Sequence, residues 1–242
     1  MKNKRNKGFS LIEILVALAL AVMIFTIIGS FNFTSKQESE ELIEDLMTSI
    51  ESATDEAALR NTNVRFYFEL TDPENDLEDP EEIEDQVQTI SFEYALDSGE
   101  LLEKKERLNK SELTQTQLEE FIKEQKSQKS NYGKIRSLKE GKIDIKYPVR
   151  ILGIGYPNEN KFITTLTSSI YFYPDGDKDP SIIFITEGEQ IHYLVIPPFG
   201  LKIKYDSVYI ESINSDLEFE ELIEKANAQA KEIFEKIRLE AN

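Results

Sequence analysis

Cysteine is absent from the 242 residues of this sequence, and histidine occurs once. Without cysteine the chain has neither disulfides nor thiolate metal sites. His192 has no second histidine or cysteine to share a metal ion, and no serine lies in the G-x-S-x-G pattern of a nucleophile elbow. The sequence therefore predicts no catalytic residue and no enzyme, and we interpret His192 as a structural or surface residue.

Basic residues are scarce relative to acidic ones. The chain has 28 lysines and arginines against 46 aspartates and glutamates, a formal net charge of −18. Four of the basic residues lie within residues 1–8, so the remainder carries 24 against 46, or −22. A surface of this sign repels nucleic acid and anionic lipid headgroups. We therefore expect no nucleic-acid partner.

Charge is missing altogether between Ile14 and Gly29. Together with residues 9–11 and Phe31, this stretch reaches the roughly 20 residues that a helix needs to cross a bilayer. The sequence therefore predicts one membrane-spanning helix over residues 9–33.

The two flanks of this predicted span differ in charge. Residues 1–8 carry four basic and no acidic side chains, whereas five acidic residues follow within 38–45. The positive-inside rule places the basic flank in the cytoplasm and the rest of the chain outside. A conventional signal peptide would be cut after its apolar stretch, at small residues in A-x-A spacing, and nothing of that kind follows Gly29. The N-terminus therefore does not fit a conventional signal peptide.

The segment Gly8-Phe9-Ser10-Leu11-Ile12-Glu13, between the basic flank and the apolar helix, resembles the class III signal of type IV pilins and type II secretion pseudopilins. The resemblance implies a leader of residues 1–8, cut by prepilin peptidase between Gly8 and Phe9. It also implies that Phe9 becomes the N-methylated terminus, and that the helix stays on a protein of the inner membrane whose C-terminal domain is periplasmic.

Glu13 is the one charged residue inside the predicted span. An ionised carboxylate there costs roughly 2.5 to 3.5 kcal/mol on insertion scales, so it is usually paired or protonated. It lies four residues, about one helical turn, after Phe9. The resemblance implies that Glu13 pairs with the terminal amine of a neighbouring subunit and sets its register. The alternative is a glutamate that reaches the membrane surface on its own.

An amphipathic pattern continues past the span, over residues 34–63. Apolar residues recur at three- and four-residue steps: Leu42, Ile43, Leu46, Met47, Ile50, Ala53, Ala57 and Ala58. This spacing is typical of a helix with one buried face. We expect it to continue the membrane helix as far as Arg60, or to follow a break at Gly29 or Asn32, and to pack on a sheet.

Residues 64–206 read as an antiparallel β-rich domain. Stretches rich in aromatic and β-branched residues predict strands over 64–70 and 87–94, with a hairpin through 97–102. Residues 72–86 are dominated by acids and predict a solvated loop. Residues 109–132 predict a polar helix capped by Ser111 or Thr114, inserted at the rim of the sheet. Further strands are predicted within 138–145 and 149–154.

A second block of strands runs from residue 168 to 205. Its parts are Ser169–Tyr173, the turn Pro174-Asp175-Gly176, Ser181–Ile185, His192–Ile196 and Gly200–Tyr205. We expect two antiparallel hairpins. Their order resembles the C-terminal half of H-type minor pseudopilins, and so does the turn Leu138-Lys139-Glu140-Gly141, although proline is common in that family where this chain has Lys139.

Alternating acids in the predicted turn suggest one metal-binding hypothesis. Asp175, Asp177 and Asp179 match the first three ligands of an EF-hand, but its sixth and twelfth positions are Pro180 and Thr186 instead of glycine and glutamate. An EF-hand is therefore excluded. An irregular calcium site and a charged turn without metal remain the two interpretations, and no other cofactor is expected.

The chain ends in a predicted helix over residues 214–240. Ser215-Asp216-Leu217-Glu218 forms a capping box, and an apolar stripe follows: Leu217, Leu222, Ile223, Ala226, Ala230, Ile233, Phe234 and Ile237. The helix either docks on its own sheet or binds another subunit.

These patterns together predict an α+β protein with a long, partly transmembrane N-terminal helix on an antiparallel β-rich domain, and an extra C-terminal helix. The resemblance implies a structural minor pseudopilin near the tip of the type II secretion pseudopilus. Its implied partners are prepilin peptidase, other pseudopilins or pilins and the inner-membrane assembly platform. The alternatives are a minor pilin of a type IV pilus, for assembly or DNA uptake, and a membrane-anchored periplasmic binding module.

Overall fold

The computed structural model of the protein describes residues 11–70, 87–96, 107–145, 147–200, 202–210 and 219–241. The chain divides into two compact units, Met1–Glu38 and Ser39–Asn242. Helix α1 covers Leu11–Arg60, and helices α2 and α3 cover Gln115–Lys129 and Phe219–Ala241. The predicted acidic loop at 72–86 and the predicted hairpin at 97–102 both lie outside the described residues.

The described part of the first unit is helical. α1 passes through Gly29 and Asn32 without a break, so the predicted continuous helix is confirmed and the alternative of an interrupted one is wrong. The large apolar side chains described between Ile12 and Met23 are more than half exposed. Within the described residues no helix is both long enough and apolar enough to cross a membrane. The predicted span over 9–33, which extends outside the described residues, is therefore not confirmed by the structure.

The second unit contains two five-stranded sheets. The strands of the first sheet are β1 Val64–Glu69, β2 Gln88–Ala95, β3 Tyr132–Lys134, β4 Lys142–Ile145 and β7 Thr167–Phe172. Their order is β7-β1-β2, with β3 and β4 both paired to the far side of β2, and every pairing is antiparallel.

The strands of the second sheet are β5 Arg150–Tyr156, β6 Lys161–Ile163, β8 Ser181–Thr186, β9 Gln190–Ile196 and β10 Lys204–Tyr209. Their order is β10-β9-β8-β5-β6, and this sheet is also antiparallel. The antiparallel pairing of β9 with β10 was predicted and is confirmed, but β10 begins at Lys204 and not at the predicted Gly200.

The predicted hairpin between β7 and β8 is wrong. The two strands belong to different sheets, and the turn between them holds only an isolated bridge from Phe172 to Lys178. The physical reason lies in β8, where all six residues are buried. A strand that is apolar on both faces needs cover on both. In the second sheet β8 has that cover, because the main core lies on one side and α3 on the other.

The main core lies between α1 and the two sheets. Most of the predicted apolar face of α1 is buried there, with Leu46, Ile50, Ala53 and Ala57 fully inaccessible. Ala58, which was predicted on the same face, is exposed. Phe66 at the centre of the first sheet packs edge-on against Phe92, with ring centroids 4.6 Å apart. Alternate residues of β8, such as Ile183, join the same core from the second sheet.

The opposite face of the second sheet is covered by α3. Ala226, Ala230 and Phe234 pack with Ile182 and Phe184 in a separate buried cluster. The interpretation of the C-terminal helix as one docked on its own sheet is therefore confirmed. Its predicted capping box at 215–218 lies outside the described residues.

Helix α2 also differs from its predicted place. Thr114 caps it, because the Thr114 hydroxyl accepts the Gln117 amide and the Gln117 side chain accepts the Thr114 amide at 2.9 Å. The other candidate cap, Ser111, lies in a preceding 3-10 turn. α2 does not sit at the rim of the first sheet but over its polar face, where Lys129 binds Glu69 of the central strand at 2.6 Å.

Candidate functional site

The predicted processing site lies at the edge of what the structure describes. Gly8 and Phe9 fall outside the described residues. Glu13 lies in the first turn of α1, and its side chain is outside the described part. The cleavage site at Gly8 and Phe9, the methylation of Phe9 and the pairing of Glu13 therefore stay predictions.

The three aspartates of the predicted turn do not converge on a common point. The Asp179 carboxylate is 5 % exposed and binds the Arg107 guanidinium. Asp177 accepts the backbone amides of Lys178 and Phe199, and Asp175 accepts that of Asp177. No group of three or more metal-ligating side chains suited to a metal ion occurs among the described residues. The calcium hypothesis is not supported, because Asp179 already neutralises a buried cation.

His192 is buried in β9 with a partner on each ring nitrogen. Its Nε2 lies 2.8 Å from Oε2 of the buried Glu187, and its Nδ1 lies 2.9 Å from the Tyr205 hydroxyl. The His192 and Tyr205 rings are nearly parallel. The sole histidine thus has a structural role, since it ties the turn after β8 to the edge strand β10.

A polar cluster that sequence reasoning missed, most of it buried, joins the two sheets. We call it the inter-sheet cluster, and its members are Arg107, Tyr156, Glu159, Ser168, Ser169 and Asp179. The Arg107 guanidinium forms ion pairs with Glu159 and, at 2.5 Å, with Asp179. It also donates to the Ser169 carbonyl at 2.9 Å and lies over the Tyr156 ring at 3.6 Å.

The Tyr156 hydroxyl completes this connection. It lies 2.7 Å from the Ser168 hydroxyl and donates to the Ser169 carbonyl, so a strand of the second sheet is bonded to a strand of the first. Burial raises the pKa of Tyr156 well above its ordinary value. Burial alone would lower the pKa of Arg107, but Tyr156, Asp179 and Glu159 outweigh it and raise that pKa. At neutral pH Tyr156 is therefore uncharged and Arg107 is cationic.

A second buried arginine lies on the polar face of the first sheet. Arg65 donates from Nε to Glu93 at 2.8 Å, directly across the β1–β2 pair, and its guanidinium stacks on Tyr132 at 3.3 Å. Burial lowers the pKa of Arg65, yet the Glu93 carboxylate and nearby tyrosines raise it more, and the net shift is upward. Arg65 and Glu93 are 28 residues apart in the chain, and the register of β1 against β2 is what places them opposite each other.

A groove of about 470 Å³ lies between α1 and β10, wholly within the second unit. Its lining is Glu40, Ile43, Glu44, Met47, Thr48 and Glu51 of α1 with Tyr205 of β10. Sequence reasoning missed it, because nothing local places Tyr205 beside residues more than 150 positions earlier.

Comparison with known proteins identifies the N-terminal segment. Residues 3–29 match the prokaryotic N-terminal methylation motif, which is consistent with the signal of type IV pilin-like proteins and pseudopilins. The match confirms the resemblance seen in the sequence and ends before the second unit. No curated protein and no solved structure matches the chain.

Proposed function

We propose, from the prokaryotic N-terminal methylation motif at residues 3–29, that this chain is a structural minor pseudopilin of the type II secretion system. It stands near the tip of the pseudopilus and catalyses nothing itself. The motif carries the proposal. The order of β8, β9 and β10 after the Pro174-Asp175-Gly176 turn supports the H-type branch of that family, although β10 begins at Lys204 and not at Gly200.

The chemistry of assembly follows from the first residues of the chain. The basic leader holds the N-terminus in the cytoplasm, and prepilin peptidase removes it after Gly8. Cleavage creates an amine at Phe9, about 6 Å along the helix from Glu13. In an apolar surrounding each of these charges is costly alone. Pairing Glu13 with the amine of a neighbouring subunit neutralises both and sets the axial register of the filament.

The rest of the molecule is divided between the inner membrane and the periplasm. The apolar helix over 9–33 anchors the single-pass chain until the assembly platform extracts it into the growing pseudopilus. The two-sheet unit lies in the periplasm, where it contacts other pseudopilins. Its acidic surface keeps nucleic acid away.

The cleavage step tests the proposal directly. We expect mass spectrometry of the membrane-extracted protein from peptidase-competent cells to find a methylated Phe9 as its first residue. A Gly8→Val variant should stay uncut, whereas the neighbouring Ser10→Ala variant should be processed normally. An intact Met1 terminus in the unchanged protein would overturn the proposal.

The same motif also serves type IV pili, including those that take up DNA. A gene deletion separates the two systems, because loss of this subunit should reduce secretion of folded extracellular enzymes and leave surface pili intact. Filter binding with the full chain in detergent should find no useful DNA affinity even at low salt. Salt-sensitive DNA binding would favour the uptake pilin instead.

A further inference from the structure

The groove between α1 and β10 has an acidic rim and an apolar floor. Glu40, Glu44 and Glu51 are exposed along its rim. The floor is formed by Ile43, which is buried in the main core, and by the partly buried Met47. The groove therefore offers apolar contact and negative charge side by side.

The spacing along α1 fits an elongated ligand. Glu40 and Glu44 are four residues apart and share one face of the helix, and Glu51 follows about two turns later. At 1.5 Å per residue the three carboxylates extend over roughly 16 Å. That length corresponds to about three turns of a second helix lying alongside α1.

Tyr205 forms the opposite wall and is held in place before any ligand arrives. Tyr205 is 44 % exposed, yet its hydroxyl is bonded to His192, which is bonded in turn to the buried Glu187. An exposed aromatic ring that is already ordered loses little conformational entropy on binding, and tyrosines are enriched among the residues that dominate binding energy. Tyr209, on the same face of β10, is 68 % exposed and extends this aromatic surface.

We propose that the groove docks a basic amphipathic helix of a partner protein. Its apolar side chains pack on Ile43, Met47 and the Tyr205 ring, while its lysines or arginines pair with Glu40 and Glu44. A cation above the face of Tyr205 adds a cation–π contact. A second copy of this chain is the wrong occupant, because two molecules of net charge −18 repel each other. This inference stands independently of the leader chemistry, so its failure leaves the proposed function untouched.

A synthetic peptide provides the probe. It has about 14 residues, with leucine and lysine placed at the helical period, and carries a fluorophore. Fluorescence anisotropy measures its binding to the full chain in micelles of an uncharged detergent, with empty micelles as reference. We expect Glu40→Gln with Glu44→Gln to weaken binding roughly fivefold, since two charge pairs are lost.

The matched control changes two exposed acids on α2, Glu119→Gln with Glu120→Gln, and alters the net charge equally. It should weaken binding less than about twofold. Tyr205→Phe keeps the ring and should retain binding, whereas Tyr205→Ala should lose about tenfold. Circular dichroism confirms that each variant is folded.

Three results would overturn the proposal. Equal losses in the groove variant and the α2 variant would mean that the peptide responds to net charge alone. An absence of binding to the unchanged chain would mean that the groove takes no basic helix. Dimerisation of the chain that the groove variant abolishes, seen by analytical ultracentrifugation, would assign the groove to a second copy.

Discussion

Removing the Arg107 side chain should destabilise the protein severely, because it leaves an acid buried without its cation. In the Arg107→Met variant the Asp179 carboxylate, 5 % exposed, loses its ion pair with Arg107 and keeps the hydrogen bond from the Tyr173 hydroxyl. The Ser169 carbonyl loses a donor at the same time. Methionine retains most of the aliphatic stem, so packing against Tyr156 changes less than the charge does.

The magnitude follows from the burial of the pair. Breaking a buried ion pair from one side typically costs about 3–5 kcal/mol. Glu159 contributes little to this loss, since its side chain is 31 % exposed and water can solvate it. For a chain of this size such a loss corresponds to a fall in Tm of roughly 6–20 °C.

The assay is thermal and urea unfolding of the full chain in detergent, followed by circular dichroism. Lys142→Met is the matched control, because it breaks the exposed pair with Asp144 and should cost less than about 1 kcal/mol. A double variant, Arg107→Met with Asp179→Asn, removes both charges and should lose less than the sum of the two single changes, by about 1–3 kcal/mol. If Arg107→Met costs no more than Lys142→Met, or the two changes at the cluster are additive, the inter-sheet cluster does not hold the sheets together as described.

Three further perturbations test other parts of the molecule. Glu13→Ala should be cleaved and inserted normally but crosslink less to neighbouring pseudopilins, and undiminished crosslinking would count against the pairing model. Phe234→Ala should lower the free energy of unfolding in urea by about 3–5 kcal/mol. Gly155→Ala should lower it by about 1–3 kcal/mol, because a Cβ at Gly155 would lie 2.4 Å from the Phe234 ring. If both variants are as stable as the unchanged protein, α3 is not docked on the sheet. Since burial raises the pKa of Tyr156 above the ordinary value of 10.0, its contribution is complete below about pH 10 and is lost as the pH rises toward the folded-state pKa. The Tyr156→Phe variant should therefore lose stability less steeply above about pH 10, and an unchanged slope there would refute this assignment.

Local patterns were sufficient for the features that a short stretch of chain decides alone. The methylation motif is a contiguous segment, so it can be read without any fold. Strands such as β1 and β8 were visible because composition and alternation are properties of six or seven neighbouring residues. Thr114 was visible as one of two candidate helix caps, beside Ser111, for the same reason, since its partner Gln117 is three residues away.

Tertiary structure decided whatever depends on residues far apart in the chain. Arg107 finds Glu159 and Asp179 at separations of 52 and 72 residues, and no local pattern marks an arginine that will be buried. The Pro174-Asp175-Gly176 turn is compatible both with a hairpin and with a crossing between sheets. The crossing prevails because β7 pairs with β1 and because β8, apolar on both faces, is covered by the main core on one side and by α3 on the other. Local sequence thus determined most of the helices and strands but missed the short strands β3 and β6. The burial of both faces of β8 determined how the sheets assemble.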